Sequence, residues 1–222
     1  MDRFQGGGSD GYDERIARLI PGYALLHQLS EALLAGLLPA DARVLIVGAG
    51  TGSDTLALAR RHSGWRFCAQ DPSADMLAIA RRRLEQADVA ARVDFRPCAL
   101  DALPETEFDA ALCLLVLHFL PSPAKRALLS AARSRLRPEA PLLLADLAAA
   151  PSAALAAAGG HASQSLGMSA EDAAQMRLKL ERDFHPLTEA EQRALLQNAG
   201  FAAPERYFQA LRIQGHWTRR LG

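Results

Sequence analysis

Apolar residues recur along this chain in two alternating rhythms. Short apolar runs at Val44–Val47, Arg66–Gln70, Val93–Arg96, Phe108–Leu117 and Leu142–Asp146 predict buried strands. The Phe108–Leu117 run is almost unbroken, as expected of a central strand covered on both faces. Helical spacing fills the gaps. Ser53–His62 is one helix, and Pro72-Ser73 starts another with Met76, Leu77, Ile79, Ala80 and Leu84 as its buried stripe. A third begins at Pro123 and runs to about Leu136. This alternation predicts an α/β fold whose parallel sheet carries helices on both faces.

Both ends of the chain add to that unit. Leu25, Leu26, Leu29, Leu33, Leu34 and Leu37 place helix ahead of the first strand, within residues 12–39. After the fifth strand, Leu147–Gly160 is rich in Ala, Ser and Gly and is expected to be a mobile loop or a weak helix. Ser169-Ala-Glu-Asp172 and Thr188-Glu-Ala-Glu191 are capping-box patterns, the first for a helix through Phe184, the second for one stopped at Gly200. Glu205–Ala210 and Leu211–Thr218 then predict two adjacent edge strands. The expected layout is a flexible N-terminus at 1–11 and a single domain at 12–222, with a helical lid inserted at about 147–187.

Composition narrows the classes. Half of the 222 residues are hydrophobic, enough for one sizeable core, and the formal net charge is zero. Holding a long nucleic acid by phosphate neutralisation is therefore not expected. No apolar run approaches the roughly 20 residues of a membrane span. Cys68, Cys98 and Cys113 are an odd count without metal spacing, in or beside apolar strands, which suits small buried thiols in a reducing cytoplasm.

The candidate chemistry gathers at Val44-Leu-Ile-Val-Gly-Ala-Gly-Thr-Gly52. A glycine turn at a strand's carboxyl end lets a ligand approach bare backbone, and the helix behind offers N–H groups to an anion. About twenty residues on, Asp71 ends the second strand, placed to accept hydrogen bonds from ribose hydroxyls. Together these indicate a nucleoside-containing ligand without saying which. A nicotinamide dinucleotide is one option, although the third glycine falls at Gly52, one place short of the pyrophosphate fingerprint.

The order of parts resembles the class I S-adenosylmethionine-dependent methyltransferases. Besides the glycine turn, the resemblance rests on Asp71-Pro-Ser, Phe108-Asp109, Leu117-His-Phe-Leu-Pro121, Leu136-Arg-Pro-Glu-Ala-Pro-Leu-Leu-Leu144 and Asn198-Ala-Gly-Phe201. It implies a Rossmann-like doubly wound sheet of about seven strands, mostly parallel, with an antiparallel C-terminal edge. It also implies S-adenosylmethionine or its product S-adenosylhomocysteine as ligand and a small-molecule methyl acceptor; a homodimer stays open. The implied cofactor-binding residues are Tyr23, Gly48, Ala49, Gly50, Asp71, Pro72, Met76, Ala99, Leu100 and Leu114. His118, just after the fourth strand, is the candidate base.

Within the family the chain looks most similar to the carboxy-S-adenosylmethionine synthases, through Tyr12-Asp-Glu-Arg15, Pro21-Gly-Tyr23 and Tyr207-Phe-Gln209. That group has an arginine for the ligand's extra carboxylate where Arg177 falls, and Tyr12 would reach over the ligand. Carboxy-S-adenosylmethionine, made with prephenate, is thus an alternative, as is a non-catalytic cofactor-binding role. Ala99 and Leu114 replace an aspartate and an asparagine of that group, and Ile46 stands where many methyltransferases carry an acid. Adenosine would then be held more by apolar and backbone contacts.

Overall fold

The computed structural model describes residues 12–222, so the N-terminus at 1–11 and the side chain of Tyr12 lie outside the described part. Two helices come first, α1 (Tyr12–Leu19) and α2 (Tyr23–Leu37), separated at Gly22 by a left-handed backbone turn with φ 75°. The alternating unit follows: β1 (Arg43–Val47), α3 (Ser53–Arg61), β2 (Arg66–Gln70), α4 (Ala74–Gln86), β3 (Val93–Arg96), β4 (Ala110–Leu114), α5 (Ser122–Arg135) and β5 (Pro141–Leu147). Then come α6 (Ala153–Ser165), α7 (Ala170–Asp183), α8 (Glu189–Asn198), β6 (Glu205–Ala210) and β7 (Ile213–Arg219).

These strands form one seven-stranded sheet in the order β3-β2-β1-β4-β5-β7-β6. β1 to β5 run parallel, and β7 pairs antiparallel with both β5 and β6. The Rossmann-like sheet and its antiparallel C-terminal edge are as the sequence leads one to expect. Two apolar layers sandwich it. On one face Val44, Ile46, Leu112 and Leu143 pack with Leu26, Leu34, Leu58 and Leu77. On the other Leu45, Leu142 and Leu144 pack with Leu129, Leu196 and Phe201. Successive strand residues face opposite layers, so every position of β4 is buried, as are all of β1 but Arg43 and all of β5 but Leu147.

Two strand boundaries differ from the sequence reading, each for a local reason. β4 is shorter than Phe108–Leu117, because Leu115 takes a left-handed φ of 61° and breaks the pleat. Of the two options for Leu147–Gly160, helix forms from Ala153 onward: Ser152 caps α6 by accepting a hydrogen bond from Leu155 N, and an alanine run propagates it. β7 starts at Ile213, two residues later than expected, because Leu211 and Arg212 form the hairpin turn. Of the capping boxes, Thr188 and Glu191 exchange both bonds, whereas Ser169 accepts from Asp172 N and donates to its carboxylate.

Strand order reverses between β1 and β4, so the connections leaving them pass to opposite faces and open a crevice at the sheet's carboxyl rim. The turn Gly48–Gly52 lines that crevice. A Cβ added to Gly52, at φ +82°, would lie 2.8 Å from Ala80 Cβ and 3.2 Å from its Cα. Glycine here lets α4 close against the turn. Gly52→Ala is expected to cost about 2 kcal/mol from the strained backbone alone, plus overpacking. The check is a lowered urea midpoint at unchanged slope.

Candidate active site at the strand-order reversal

Backbone, more than side chains, builds the cofactor side of the crevice. Gly48 and Gly50 both have left-handed φ, 68° and 53°. A Cβ on Gly48 would strike Val116 Cγ2 at 2.6 Å, so glycine lets the turn lie against the loop leaving β4. Around Gly50 the space is open, its nearest side-chain neighbour being Met76 Cε at 3.8 Å. This is a cradle in which a ligand can touch backbone directly.

Asp71 ties that cradle to the next helix. Its Oδ2 accepts from Gly50 N at 2.9 Å and its Oδ1 from Ser73 N at 2.8 Å. Ser73 in turn caps α4, accepting from Met76 N at 3.3 Å. Burial pushes the Asp71 carboxyl above the ordinary carboxylate range, and the two backbone donors pull it back down. Each oxygen keeps an unused lone pair, so vicinal hydroxyls of a ribose can still donate to it.

The other expected cofactor residues frame the same rim. Ala49, Leu100 and Leu114 are buried, Met76 is half-buried, and Pro72 and Ala99 are exposed. Tyr23 stands at the start of α2, edge-on to His27 at 4.4 Å, and His27 pairs with Asp54 of α3 at 2.6 Å. Cys68 and Cys113 are buried as expected of apolar thiols, and burial raises Cys68 to about 12.

Beside the turn opens a cavity of about 1080 Å³. Thr51, Met76 and Ile79 wall it on the cradle side, with Ile16 and Leu19 from α1 and Ile20 just after it; α6 faces it mostly with alanine and glycine, and α7 with alanines and the longer Met176, Arg177, Lys179 and Leu180. Arg177 reaches this cavity, exposed and without an ion pair among the described residues; His161 also borders it. His185 is exposed, and no group of His, Cys, Asp or Glu fit for a metal occurs among the described residues.

His118 lies in a 3-10 turn, Leu117–Phe119, is nearly buried, and lines this cavity. Its Nδ1 is hydrogen-bonded to Asp146 at the end of β5, which also accepts from Leu147 N at 2.9 Å. A carboxylate on Nδ1 selects the tautomer with its proton there and leaves the Nε2 lone pair available. The ring sits among Phe119 at 4.1 Å and Phe184 at 5.0 Å. Lys125, 1% exposed, donates to the carbonyls of Leu117, Leu120 and His185, while His185 N donates to His118 O. Burial lowers the Lys125 pKa, and Asp146 opposes that. The three carbonyls fix the turn carrying His118 to the segment after α7.

Sequence reasoning placed His118, but not its partners Asp146, Lys125, Phe119 and Phe184. An acid closing a strand at the carboxyl rim was the available signal for Asp146.

A methyltransferase-domain model matches residues 44–139. The carboxy-S-adenosyl-L-methionine synthase of Campylobacter hominis is 30% identical over 202 residues, 89% of this chain and 85% of that protein. The chain belongs to the class I S-adenosylmethionine-dependent methyltransferases. It is 34% identical over 145 residues to a ubiquinone biosynthesis O-methyltransferase of Xanthomonas axonopodis, covering 64% of this chain and 58% of that one. The apo structure of the S-adenosylmethionine-dependent methyltransferase SibL shares the fold at TM-score 0.65 and 20% identity; the match covers 90% of this chain and 57% of that one.

As a class I methyltransferase, the protein is an enzyme whose cofactor is S-adenosylmethionine, and the bare glycine cradle beside an anchored carboxylate fits that group. No helix among the described residues is long and apolar enough to cross a membrane. Asp71→Ala is expected to weaken S-adenosylhomocysteine binding about tenfold or more, the worth of hydrogen bonds to a charged acceptor. Hydroxyls that donate to an ionised carboxylate lose their acceptor when it is protonated, so affinity is expected to fall on acidification. Because burial raises this carboxyl, the fall begins at higher pH than for an exposed aspartate. Calorimetry across a pH series measures both.

Proposed function

We propose that this methyltransferase acts on a hydroxyl group of an apolar small molecule, with His118 as general base and Asp146 as its positioning partner. The observation that carries this is the His118–Asp146 pair on the wall of an apolar cavity adjoining the cofactor cradle. The O-methyltransferase name of the Xanthomonas relative agrees with it.

When bound, the cofactor supplies an electrophilic methyl group on a sulfonium. The turn Gly48–Gly52, with Ala49, holds the methionyl part beneath Tyr23, and Asp71 takes the ribose hydroxyls beside Pro72. Met76 and Leu100 flank the adenine, with Ala99 and Leu114 at its margin. His118 Nε2 removes the acceptor's hydroxyl proton as the oxygen attacks, and Asp146 stabilises the resulting imidazolium. The residues α6 to α7 serve as a lid that excludes water, so alignment of the two reactants supplies much of the acceleration.

A second reading has one observation of its own. Arg177 lines the cavity with no ion pair among the described residues, which suits the extra carboxylate of carboxy-S-adenosylmethionine, the product named for the Campylobacter relative. Mass spectrometry of the ligand carried through purification separates the two cofactors.

Incubation with methyl-labelled S-adenosylmethionine and hydroxyl-bearing aromatic acceptors is expected to give labelled methyl ethers. His118→Ala should lower that rate about 10²- to 10⁴-fold, the usual contribution of a general base, with S-adenosylhomocysteine affinity unchanged. Asp146→Asn should lower kcat more than it changes KM. Label found only on nitrogen or carbon, at a rate indifferent to His118→Ala, contradicts the reading.

A further inference from the structure

The cavity wall carries Asp75, Arg177, Lys179 and Arg212, and Arg212 has no role in the chemistry just described. Arg212 lines the cavity from the turn of the β6–β7 hairpin, directly after Leu211, whose φ is 51°. Its carbonyl accepts from Ala148 N at 2.7 Å, and its Nε donates to Ala148 O at 3.0 Å. Turn and side-chain stem are thereby pinned to the end of β5. The guanidinium is half-buried, and burial pulls its pKa below the ordinary arginine value.

Other arginines of the fold use their donors on the protein. Arg92 binds three carbonyls, of Ala59, His62 and Trp65, and Arg137 pairs with Asp109. Arg135 binds the carbonyls of Asp101, Leu103 and Ala131. Arg212 forms no ion pair, and no hydrogen bond from its Nη atoms, among the described residues. A partly desolvated cation without a counter-ion is unfavourable, and an anion brought by a ligand relieves it.

The register places Arg212 next to the strand that holds His118. Leu147 pairs with Ile213, so Arg212 stands beside Ala148, two residues beyond the Asp146 that holds His118. His118 and Arg212 both line the cavity. Apolar side chains of Leu147, Leu180, Phe184, Pro186 and Ile213 line the same cavity.

We propose that Arg212 receives a carboxylate of the methyl acceptor, which is therefore an apolar hydroxy acid whose hydroxyl lies at His118. The assignment rests on the acceptor cavity proposed above. The Arg212 guanidinium, beside these apolar side chains, matches a monoanionic carboxylate bidentately, and their charges cancel inside the cavity. Arg212 is a binding residue that fixes which hydroxyl faces the base.

Calorimetry in the presence of S-adenosylhomocysteine tests this with 4-hydroxybenzoate, 4-hydroxycinnamate and 6-hydroxy-2-naphthoate against their methyl esters. The wild-type protein is expected to bind at least one acid about tenfold or more tighter than its ester. In Arg212→Met that preference disappears through loss of acid affinity, while Arg212→Lys retains part of it and Arg177→Met leaves it intact. Equal binding of acid and ester by the wild type, binding of none of the acids, or a preference that survives Arg212→Met overturns the proposal. So does a loss of S-adenosylhomocysteine affinity in Arg212→Met, because the residue would then serve the cofactor. Failure of the wild type itself to bind S-adenosylhomocysteine refutes the underlying reading instead.

Discussion

Asp71 holds together the two pieces of backbone on which this crevice depends. One of its oxygens accepts from the turn after β1 and the other from the start of α4, so two neighbouring strands end in a single hydrogen-bonded rim. The carboxylate bears a desolvation cost for standing there, seen in its raised pKa, and the two backbone donors offset part of it. Charge-assisted bonds to backbone hold loops more firmly than neutral ones. With this rim fixed, the glycines keep their left-handed geometry, and the cavity beside them acquires a constant wall.

The acceptor side is organised around a second buried charge. Lys125 lies within protein, and three main-chain carbonyls replace its water. Two belong to the loop around His118 and the third to the segment after α7, so the turn carrying His118 is tied to that segment. Asp146 completes this arrangement from β5. His118 lies in the loop after β4 and Asp146 at the carboxyl end of β5, where strand-order reversal leaves room, and Lys125 reaches them from the first turn of α5.

How much of this the sequence discloses depends on the range over which each feature is determined. The β1 turn and the N-cap of α4 are local, and Val44–Gly52 and Asp71-Pro-Ser73 suffice to place them. Capping at Thr188 is equally local, and both of its bonds form. The hairpin turn was harder: Leu211 and Arg212 carry no glycine or asparagine to mark it, so the strand seemed to begin too early. α6 was obscured by composition, since an Ala/Gly-rich stretch with little amphipathicity carries no face to read. The contact of His118 with Asp146 spans 28 residues and exists only once β4 and β5 pair, and Lys125 looks like an ordinary surface residue of a polar helix start.

The claim on which everything else rests is that the cofactor lies across the rim with its reactive carbon turned toward His118. A crystal structure of the protein with S-adenosylhomocysteine measures this directly. The ribose hydroxyls are expected on Asp71, the homocysteine over Gly48–Gly52, and the sulfur facing the cavity that His118 lines. A nucleoside seated elsewhere, or one whose sulfur points away from that cavity, would contradict the account.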